Sequence, residues 1–228
     1  MGDYENFISK YFPQASIQEN AEGLYNLVCE SNIVSAVFLR YMDTEKYNLT
    51  EEKKLYYIRF RDAVNKLLFY VPLNDGIGIF SCMRYLLEQY LKFIYAIHFD
   101  IDISKINITS YRHIKEDIKE SYLIDQKVKE KIERIYSFYA KYSNDVHDKD
   151  TTNDNELTFL EDILKGKNAF WGTTVDDLRK ILDVTYDILE CLFEINFEDL
   201  NSVERMKISK MKSRKRSRKI LKLLNRQN

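Results

Sequence analysis

The chain contains very few residues that interrupt a helix, and this scarcity constrains its fold more than any other feature. Only six glycines and two prolines occur in 228 residues. Because these residues mark most turns in strand-rich proteins, their scarcity favours long helices over many short strands. Seventeen tyrosines and 13 phenylalanines supply enough apolar area for one sizeable core. The sequence therefore predicts an all-α fold.

Apolar residues recur at helical spacing through most of the chain. The most apolar segment is IFSCMRYLLEQYLKFIYAIHF, residues 79–99, which at 21 residues is too long for one strand and is predicted to be a central helix. Ser31 and Thr174 are predicted to cap the helices that follow them. Further helices are predicted over residues 4–12, 16–30, 31–41, 50–70, 110–122, 125–147, 156–164, 174–193 and from about 197 or 201 onward. Loops are predicted at residues 72–78 and 148–155, and a turn at residues 165–172.

These elements predict a single helical bundle with a basic C-terminal helix or tail. Residues 1–200 form the expected helical domain, in which residues 1–50 extend a core of residues 50–195. Residues 201–228 form the expected basic tail.

Cysteine usage and the composition of the first residues predict a cytoplasmic protein. Cys29, Cys82 and Cys191 lie far apart and form no CxxC pair, so we expect no disulfide framework and a small core residue at each position. The first ten residues, MGDYENFISK, lack the basic and apolar regions of a signal peptide. No stretch reaches about 18 uncharged apolar residues, so no membrane span is expected.

The sequence contains no motif for a metal or a nucleotide cofactor. Its three histidines are His98, His113 and His147, and the patterns HExxH, GxSxG, GxGxxG and the P-loop are all missing. We therefore expect neither a metal nor another cofactor.

The net charge of −1 conceals a strong asymmetry along the chain. Residues 205–228 contain 11 Lys or Arg and no acid, whereas the residues before them contain 36 acidic and 24 basic side chains. Such a basic cluster is typical of a nucleic-acid contact. The alternatives are a solubilising end, an anionic membrane surface, or an acidic partner such as the protein's own body. The predicted nucleic-acid contacts are Lys210, Lys212, Arg214, Lys215, Arg216, Arg218 and Lys219.

Three charged side chains interrupt the most apolar helix at equal spacing. Arg84, Glu88 and Lys92 lie at positions i, i+4 and i+8 and therefore share one face. They form either the solvated face of this helix or the wall of a polar cleft, because burying unpaired charges is costly.

A second polar group ends the helix predicted over residues 125–147. The segment YAKYSNDVHD places Lys141, Ser143 and Asn144 within two turns of His147. The helix dipole favours the protonated form of a histidine near a helix carboxyl end, and such an imidazole can exchange a proton near neutral pH. The group is either a solvated helix end with an incidental histidine or an acid–base site.

The segments RYLLEQYLKFIYA and FYAKYSNDVHD together resemble the HEPN superfamily of prokaryotic helical-bundle domains. The first is similar to an Arg-x-x-x-Glu-x-x-x-Lys pattern of related families. The second is similar to a Ser-x-x-x-His pattern with an aliphatic residue before the histidine. The resemblance covers about residues 55–195. The matching positions are Arg84, Glu88, Lys92, Ser143, Val146 and His147.

Catalytic members of this superfamily are metal-independent ribonucleases of defence and toxin–antitoxin systems. Their active site usually forms in a homodimer, where two copies of a motif of Arg, four to six residues, and His meet. In this chain Lys141 fills the basic position of the motif, and it supplies a point charge rather than the planar fork of arginine. The resemblance therefore implies RNA, a second copy of the chain, and an antitoxin or a larger defence complex as partners.

The resemblance also implies a role for each predicted site residue. His147 would take the proton of a ribose 2′-hydroxyl or protonate the leaving 5′-oxygen. Arg84 and Lys141 would stabilise the charge on the phosphate. Ser143 and Asn144 would orient the histidine or the phosphate. Glu88 would lie in the same cleft as Arg84.

The sequence leaves three functions open. The first is a HEPN-like endoribonuclease that cleaves RNA by acid–base phosphoryl transfer. The second is a catalytically inactive HEPN-like module that binds nucleic acid or a partner protein, which the lysine at the arginine position favours. The third is a helical scaffold with no role in nucleic-acid binding.

Overall fold

The computed structural model describes residues 2–13, 21–99, 101–147, 171–195, 197–211 and 213–223. These residues are largely helical and contain no strand, which confirms the predicted all-α fold. The predicted loop at 148–155, the predicted helix at 156–164 and most of the predicted turn at 165–172 lie outside the described residues. The helices are α1 (Asp3–Tyr11), α2 (Ala21–Met42), α3 (Glu51–Tyr70), α4 (Gly76–His98), α5 (Ile103–Ile108), α6 (Tyr111–Glu120), α7 (Gln126–His147), α8 (Trp171–Phe193), α9 (Ser202–Ser209) and α10 (Arg214–Leu223), with a short 3₁₀ helix at Phe197–Asp199.

Five of the described helices form a closed ring around one core. α3 packs against α2 and α4, α4 packs against α7, and α7 packs against α8. α8 packs against α2 and closes the ring. Aromatic rings from four of these helices meet inside the ring. The ring centroid of Phe93 on α4 lies 5.2 Å from that of Tyr57 on α3 and 6.4 Å from that of Phe193 on α8. Phe193 in turn lies 6.1 Å from Phe38 on α2. These contacts make the described helices a single bundle.

α4 is the central helix of the bundle. Leu86, Leu87 and Ile94 have no exposed surface, and α4 packs against α3, α5, α6 and α7. The hydroxyl of Tyr90 donates to the backbone carbonyl of Thr185 on α8 at 2.9 Å. A helix that is apolar around most of its circumference is stable only when other elements surround it. The structure therefore confirms a helix in the segment that the sequence predicted to be central.

Side-chain caps determine where several helices begin. The Oδ1 atom of Asp75 accepts a hydrogen bond from the amide of Gly78 at 3.0 Å. This cap starts α4 at Gly76, so the loop predicted over residues 72–78 is shorter than expected. At the start of α9, Asn201 and Glu204 each accept a hydrogen bond from the other's amide at 2.9 Å.

The predicted caps at Ser31 and Thr174 are wrong. Ser31 lies inside the continuous helix α2 and is 1% exposed, and Thr174 lies inside α8 and is 2% exposed. Val28 and Val34 are both buried, so the apolar face continues past Ser31 without a break. Burial of one continuous face outweighs the local capping preference of a hydroxyl residue.

The cysteines differ in their exposure, and none forms a disulfide. Cys82 is buried, as expected, and Cys29 is half-buried. Cys191 is exposed, so the expectation of a core residue is wrong there. No helix in the described part of the chain is long and apolar enough to cross a membrane.

The last residue of α4 makes stability depend on pH. Burial lowers the pKa of His98 below its ordinary value of 6.5. Its Nε2 atom is buried and makes no hydrogen bond to the described residues. Between the lowered pKa and 6.5 the unfolded chain binds more protons at this residue than the folded chain does. The contribution of neutral His98 to stability is therefore complete above this range and is lost as the pH falls through it.

We expect the urea midpoint of unfolding to fall as the pH is lowered from about 7 to about 5, because the unfolded state gains the proton of His98 first. The variant His98→Gln should show a flatter dependence over the same range. His113→Gln removes an exposed imidazole and controls for the loss of a histidine as such. An unchanged slope in His98→Gln would show that the buried imidazole is not the cause.

Candidate functional site

The seam between α4 and α7 brings together two of the predicted polar groups. The ring of Phe80 on α4 lies 5.9 Å from that of Tyr142 on α7. One turn further along α4, the Nε of Arg84 donates to the hydroxyl of Tyr139 at 3.4 Å, and its guanidinium carbon lies 5.7 Å from the Tyr139 ring centroid. Contacts nearer the carboxyl end of α4 are therefore made by residues nearer the amino end of α7. The two helices are antiparallel, and the amino end of α4 lies beside the carboxyl end of α7.

His147 is the last residue of α7, and its side chain lies outside the described part of the structure. Counted from Tyr139, it lies about 12 Å further along the helix and about 80° around its axis. Ser143 lies between the two on the same side and is half-buried, whereas Asn144 is exposed. The backbone therefore places Arg84, Ser143 and His147 along one side of α7. A contact between Arg84 and His147 stays a prediction.

Lys141 faces a different helix from Arg84. Its Nζ lies 2.6 Å from the Oδ2 atom of Asp177 on α8. The same oxygen accepts a hydrogen bond from the hydroxyl of Tyr142 at 2.8 Å, and the Asp177 side chain is only 8% exposed. On α7, Lys141 and His147 are separated by about 120° around the axis. The charge of Lys141 is therefore engaged by a buried carboxylate on the α8 side of the helix.

Glu88 and Lys92 form a separate pair at the other end of the charged stripe. The Nζ of Lys92 lies 3.0 Å from Glu88 Oε1 and donates to the backbone carbonyl of Asn107 at 3.1 Å. Lys92 is buried, so these contacts satisfy a charge that would otherwise be costly inside the protein. The stripe shares one face, as the spacing predicts, but Lys92 connects α4 to α5 at about 12 Å along the helix from Arg84.

Sequence reasoning missed a group of tyrosines beside Arg84. The rings of Tyr139 on α7 and Tyr111 on α6 stack at a centroid distance of 3.7 Å. Tyr136 meets Tyr111 edge-on at 5.6 Å, and burial raises the pKa of both Tyr111 and Tyr136. The spacing of Tyr136 and Tyr139 on the same side as Ser143 is the sequence signal that could have found them. Because Tyr136 and Tyr139 are buried, they do not offer an open stacking surface, and Tyr139 contacts Arg84 directly.

The segment predicted to be a basic tail contains two helices, α9 and α10, and it docks on the bundle. α9 packs against α2 and α10, and Ile208 and Ile220 are buried. The Nε of Arg216 donates to Glu30 on α2 at 2.8 Å, and its other nitrogens pair with Glu30 and with Asp183 on α8. Although burial lowers the pKa of Arg216, the hydrogen bonds and charges of these two carboxylates raise it overall. Lys219 also pairs with Asp183, at 2.6 Å.

The seven predicted nucleic-acid contacts therefore fall into different environments. Arg216 and Lys219 hold α10 on the acidic body. Lys212 lies outside the described residues. The remaining four are exposed and form no ion pair with the described part of the chain: Lys210, Arg214, Lys215 and Arg218.

Most of these cations line one concave surface, which we call the basic cleft. It has a volume of about 1120 Å³ and lies between α2, the middle of α8, and the pair α9 and α10. Arg214 is not part of its lining. Lys207 and Lys222 are cleft residues that sequence reasoning missed, although Lys222 follows Lys215 and Arg218 at helical spacing. The basic side chains of α9, α10 and their connection that line it are Lys207, Lys210, Lys215, Arg216, Arg218, Lys219 and Lys222.

The described residues contain no group of three or more His, Cys, Asp or Glu side chains that could hold a metal ion. Comparison with known proteins found no matching family model, no similar curated protein and no similar solved structure. The HEPN resemblance therefore rests on the residues of this chain alone.

We expect Arg216→Met to release α10 from the bundle. The substitution leaves Glu30 buried without its partner, a loss that typically costs about 3–5 kcal/mol. Release of α10 lets water reach Glu30 and relieves this cost. Amide hydrogen exchange over residues 214–223 should therefore accelerate by about a hundredfold or more.

Two further variants test this cause. Glu30→Gln added to Arg216→Met removes the unpaired charge and should restore part of the protection. Arg214→Met removes an exposed cation of the same helix and should leave exchange unchanged. If Arg216→Met retained the protection of the native protein, the ion pair would not be what docks α10.

Proposed function

We propose that the protein is a metal-independent endoribonuclease of the HEPN type, acting in a prokaryotic defence or toxin–antitoxin system. The observation that supports this proposal is the contact of Arg84 with Tyr139 on α7. Ser143 and His147 come four and eight residues after Tyr139 on the same side of α7. The contact therefore holds the Arg84 guanidinium on that side of the helix. A fixed cation next to an acid–base histidine is the minimum that cleavage by a ribose 2′-hydroxyl requires.

In the proposed mechanism His147 takes the proton of the 2′-hydroxyl, which attacks the adjacent phosphorus and expels the 5′-oxygen. The leaving oxygen regains a proton from the protonated imidazole or from water. Arg84 stabilises the charge that gathers on the non-bridging oxygens, and Ser143 and Asn144 orient the phosphate. Lys141 acts mainly as a positioning residue, because its ammonium is held by Asp177. Glu88 stabilises Lys92 rather than the phosphate.

The proposal includes a homodimer in which two copies of the α7 carboxyl end face one RNA. Two large apolar side chains on the first half of α4, beside that end of α7, support this arrangement. Ile77 is 61% exposed and Tyr85 is 41% exposed. Exposed apolar residues of this size are common at interfaces between protein chains.

We expect the wild-type protein to cleave mixed structured and single-stranded RNAs in EDTA. His147→Ala should slow cleavage by about a hundredfold or more, because general acid–base catalysis contributes about 10²–10⁴. Arg84→Lys should also slow cleavage, since lysine lacks the planar fork. Lys127→Ala removes an exposed lysine at the opposite end of α7 and should leave the rate unchanged. Full cleavage in both His147→Ala and Arg84→Lys would rule out the proposed site.

We expect Ile77→Glu to shift the protein from dimer to monomer in analytical ultracentrifugation, because it places a charge on an apolar interface. Cleavage should fall with the dimer fraction. Ile108→Glu changes an 86% exposed isoleucine on α5, at the other end of α4, and serves as the matched control. A wild-type monomer that cleaves RNA would contradict the dimeric site.

The second candidate is a catalytically inactive HEPN-like module that binds nucleic acid or a partner protein. The ion pair between Lys141 and Asp177 favours it, because it occupies the cation at the basic position of the motif. This candidate gains support if a confirmed dimer binds RNA with a strong salt dependence and does not cleave it.

A further inference from the structure

The basic cleft has no role in the proposed cleavage, since it is built from α2, α8, α9 and α10 rather than from α4 and α7. We propose that this cleft binds the phosphodiester backbone of a single-stranded nucleic acid. The proposal stands independently of cleavage, because binding at the cleft needs neither His147 nor Arg84.

The first support is the number of cations in the cleft that lack a carboxylate partner among the described residues. The two acidic residues in the described lining, Glu30 and Asp183, are already engaged by Arg216 and Lys219. Arg179 pairs with Asp176 at 2.6 Å. Cations without a partner can neutralise phosphates and release their counterions. Those that form no ion pair with described residues are Lys207, Lys210, Lys215, Arg218 and Lys222.

The second support is the linear arrangement of these cations. Lys215, Arg218 and Lys222 lie at positions i, i+3 and i+7 of α10 and share one face. Successive members are separated by about 4.5 Å and 6 Å along the helix axis. Lys207 and Lys210 form a shorter row at the end of α9. A row of charges suits the successive phosphates of one strand better than it suits a single compact anion.

The third support is the size of the cleft and the chemistry of its lining. At about 1120 Å³ it exceeds the range of about 300–1,000 Å³ that is common for small-molecule sites. Its lining includes Tyr25 on α2 and the flexible thioethers of Met206 and Met211. Aromatic and polarisable side chains in a cleft that also contains cations offer a surface on which unpaired bases pack.

The orientation of α10 argues against a membrane as the occupant. A helix that lies on a lipid surface presents its apolar face to the bilayer. In this protein Ile220 faces the bundle and is buried, and Ile208 of α9 is also buried. Among the side chains of α10 that the structure describes, the exposed ones are all basic, and most of them border a concave surface.

The test measures binding of fluorescent 12-nucleotide single strands, as RNA and as DNA of the same sequence, by anisotropy with the full chain carrying His147→Ala. Both strands should bind, and Arg218→Glu should weaken binding by about tenfold and reduce the salt slope by about 0.7 for the lost phosphate contact. Arg214→Glu is the matched control. It lies one turn away on α10, is exposed and forms no ion pair with described residues, but it does not line the cleft. Its affinity should stay within about twofold of the parent.

A second readout locates the strand without a change on α10. Cys29 is half-buried in the lining of the cleft, whereas Cys191 is exposed outside it. A bound strand should slow alkylation of Cys29 severalfold and leave the alkylation of Cys191 unchanged.

Three outcomes would overturn the proposal. One is an equal loss of affinity in Arg214→Glu and Arg218→Glu, which would indicate attraction by net charge. Another is unchanged alkylation of Cys29 at saturating strand. The third is equal or tighter binding of poly-glutamate or of anionic phospholipid vesicles, which would assign the cleft to an acidic protein or to a membrane. Loss of RNA cleavage in His147→Ala with binding intact would leave this proposal standing and would bear only on the proposed cleavage site.

Discussion

The burial of α4 is the constraint on which the rest of the structure depends. A 23-residue helix with fully buried side chains at Leu86, Leu87 and Ile94 needs neighbours on nearly every side. Each such side chain contributes about 1.5–3 kcal/mol when it is removed from water. The same burial determines where the polar residues of α4 can lie. The buried Lys92 and the half-buried Arg84 reach partners at the seams with α5 and α7, because removing a charge from water without a partner costs free energy. The burial of α4 thus determines both the packing of the core and the position of Arg84 at the candidate site.

Asp177 has a comparable effect on α7. A buried carboxylate needs compensation, and here Lys141 and Tyr142 supply it from two successive positions of one helix. Two adjacent contacts to one carboxylate fix the rotation of α7 about its axis. The rotation in turn decides which side of α7 meets α4, where Tyr139 contacts Arg84. Lys141 therefore helps to orient the carboxyl half of α7, and the same contact reduces the positive charge that it can offer to an anion.

The sequence predicted the elements whose signals are local and missed the features that depend on distant residues. Helical periodicity with few glycines and prolines located the helices over residues 51–70, 76–98 and 126–147 to within a few positions. Ser31 carried the local signal of a cap, but only its burial within α2 shows that the helix continues. Spacing alone put Arg84 and Lys92 on one face. Their partners on other helices lie 55 and 15 residues away in the chain, and the partner of Lys141 lies 36 residues away. No local pattern contains those pairings.

Charge counting has the same limit in the basic segment. A count of charges treats all cations alike, whereas the side chains of α10 point in different directions. Arg216 points toward α2 and α8, where its planar fork engages two carboxylates at once, and Lys215 and Arg218 point into the cleft. These two groups respond differently to salt. Exposed cations are screened strongly above about 0.1 M, whereas a buried pair such as Arg216 and Glu30 is screened little. Rising ionic strength should therefore weaken the attraction of the exposed cations for an anion while α10 stays docked, so that the shape of the cleft is kept at salt concentrations that would release an electrostatically bound anion.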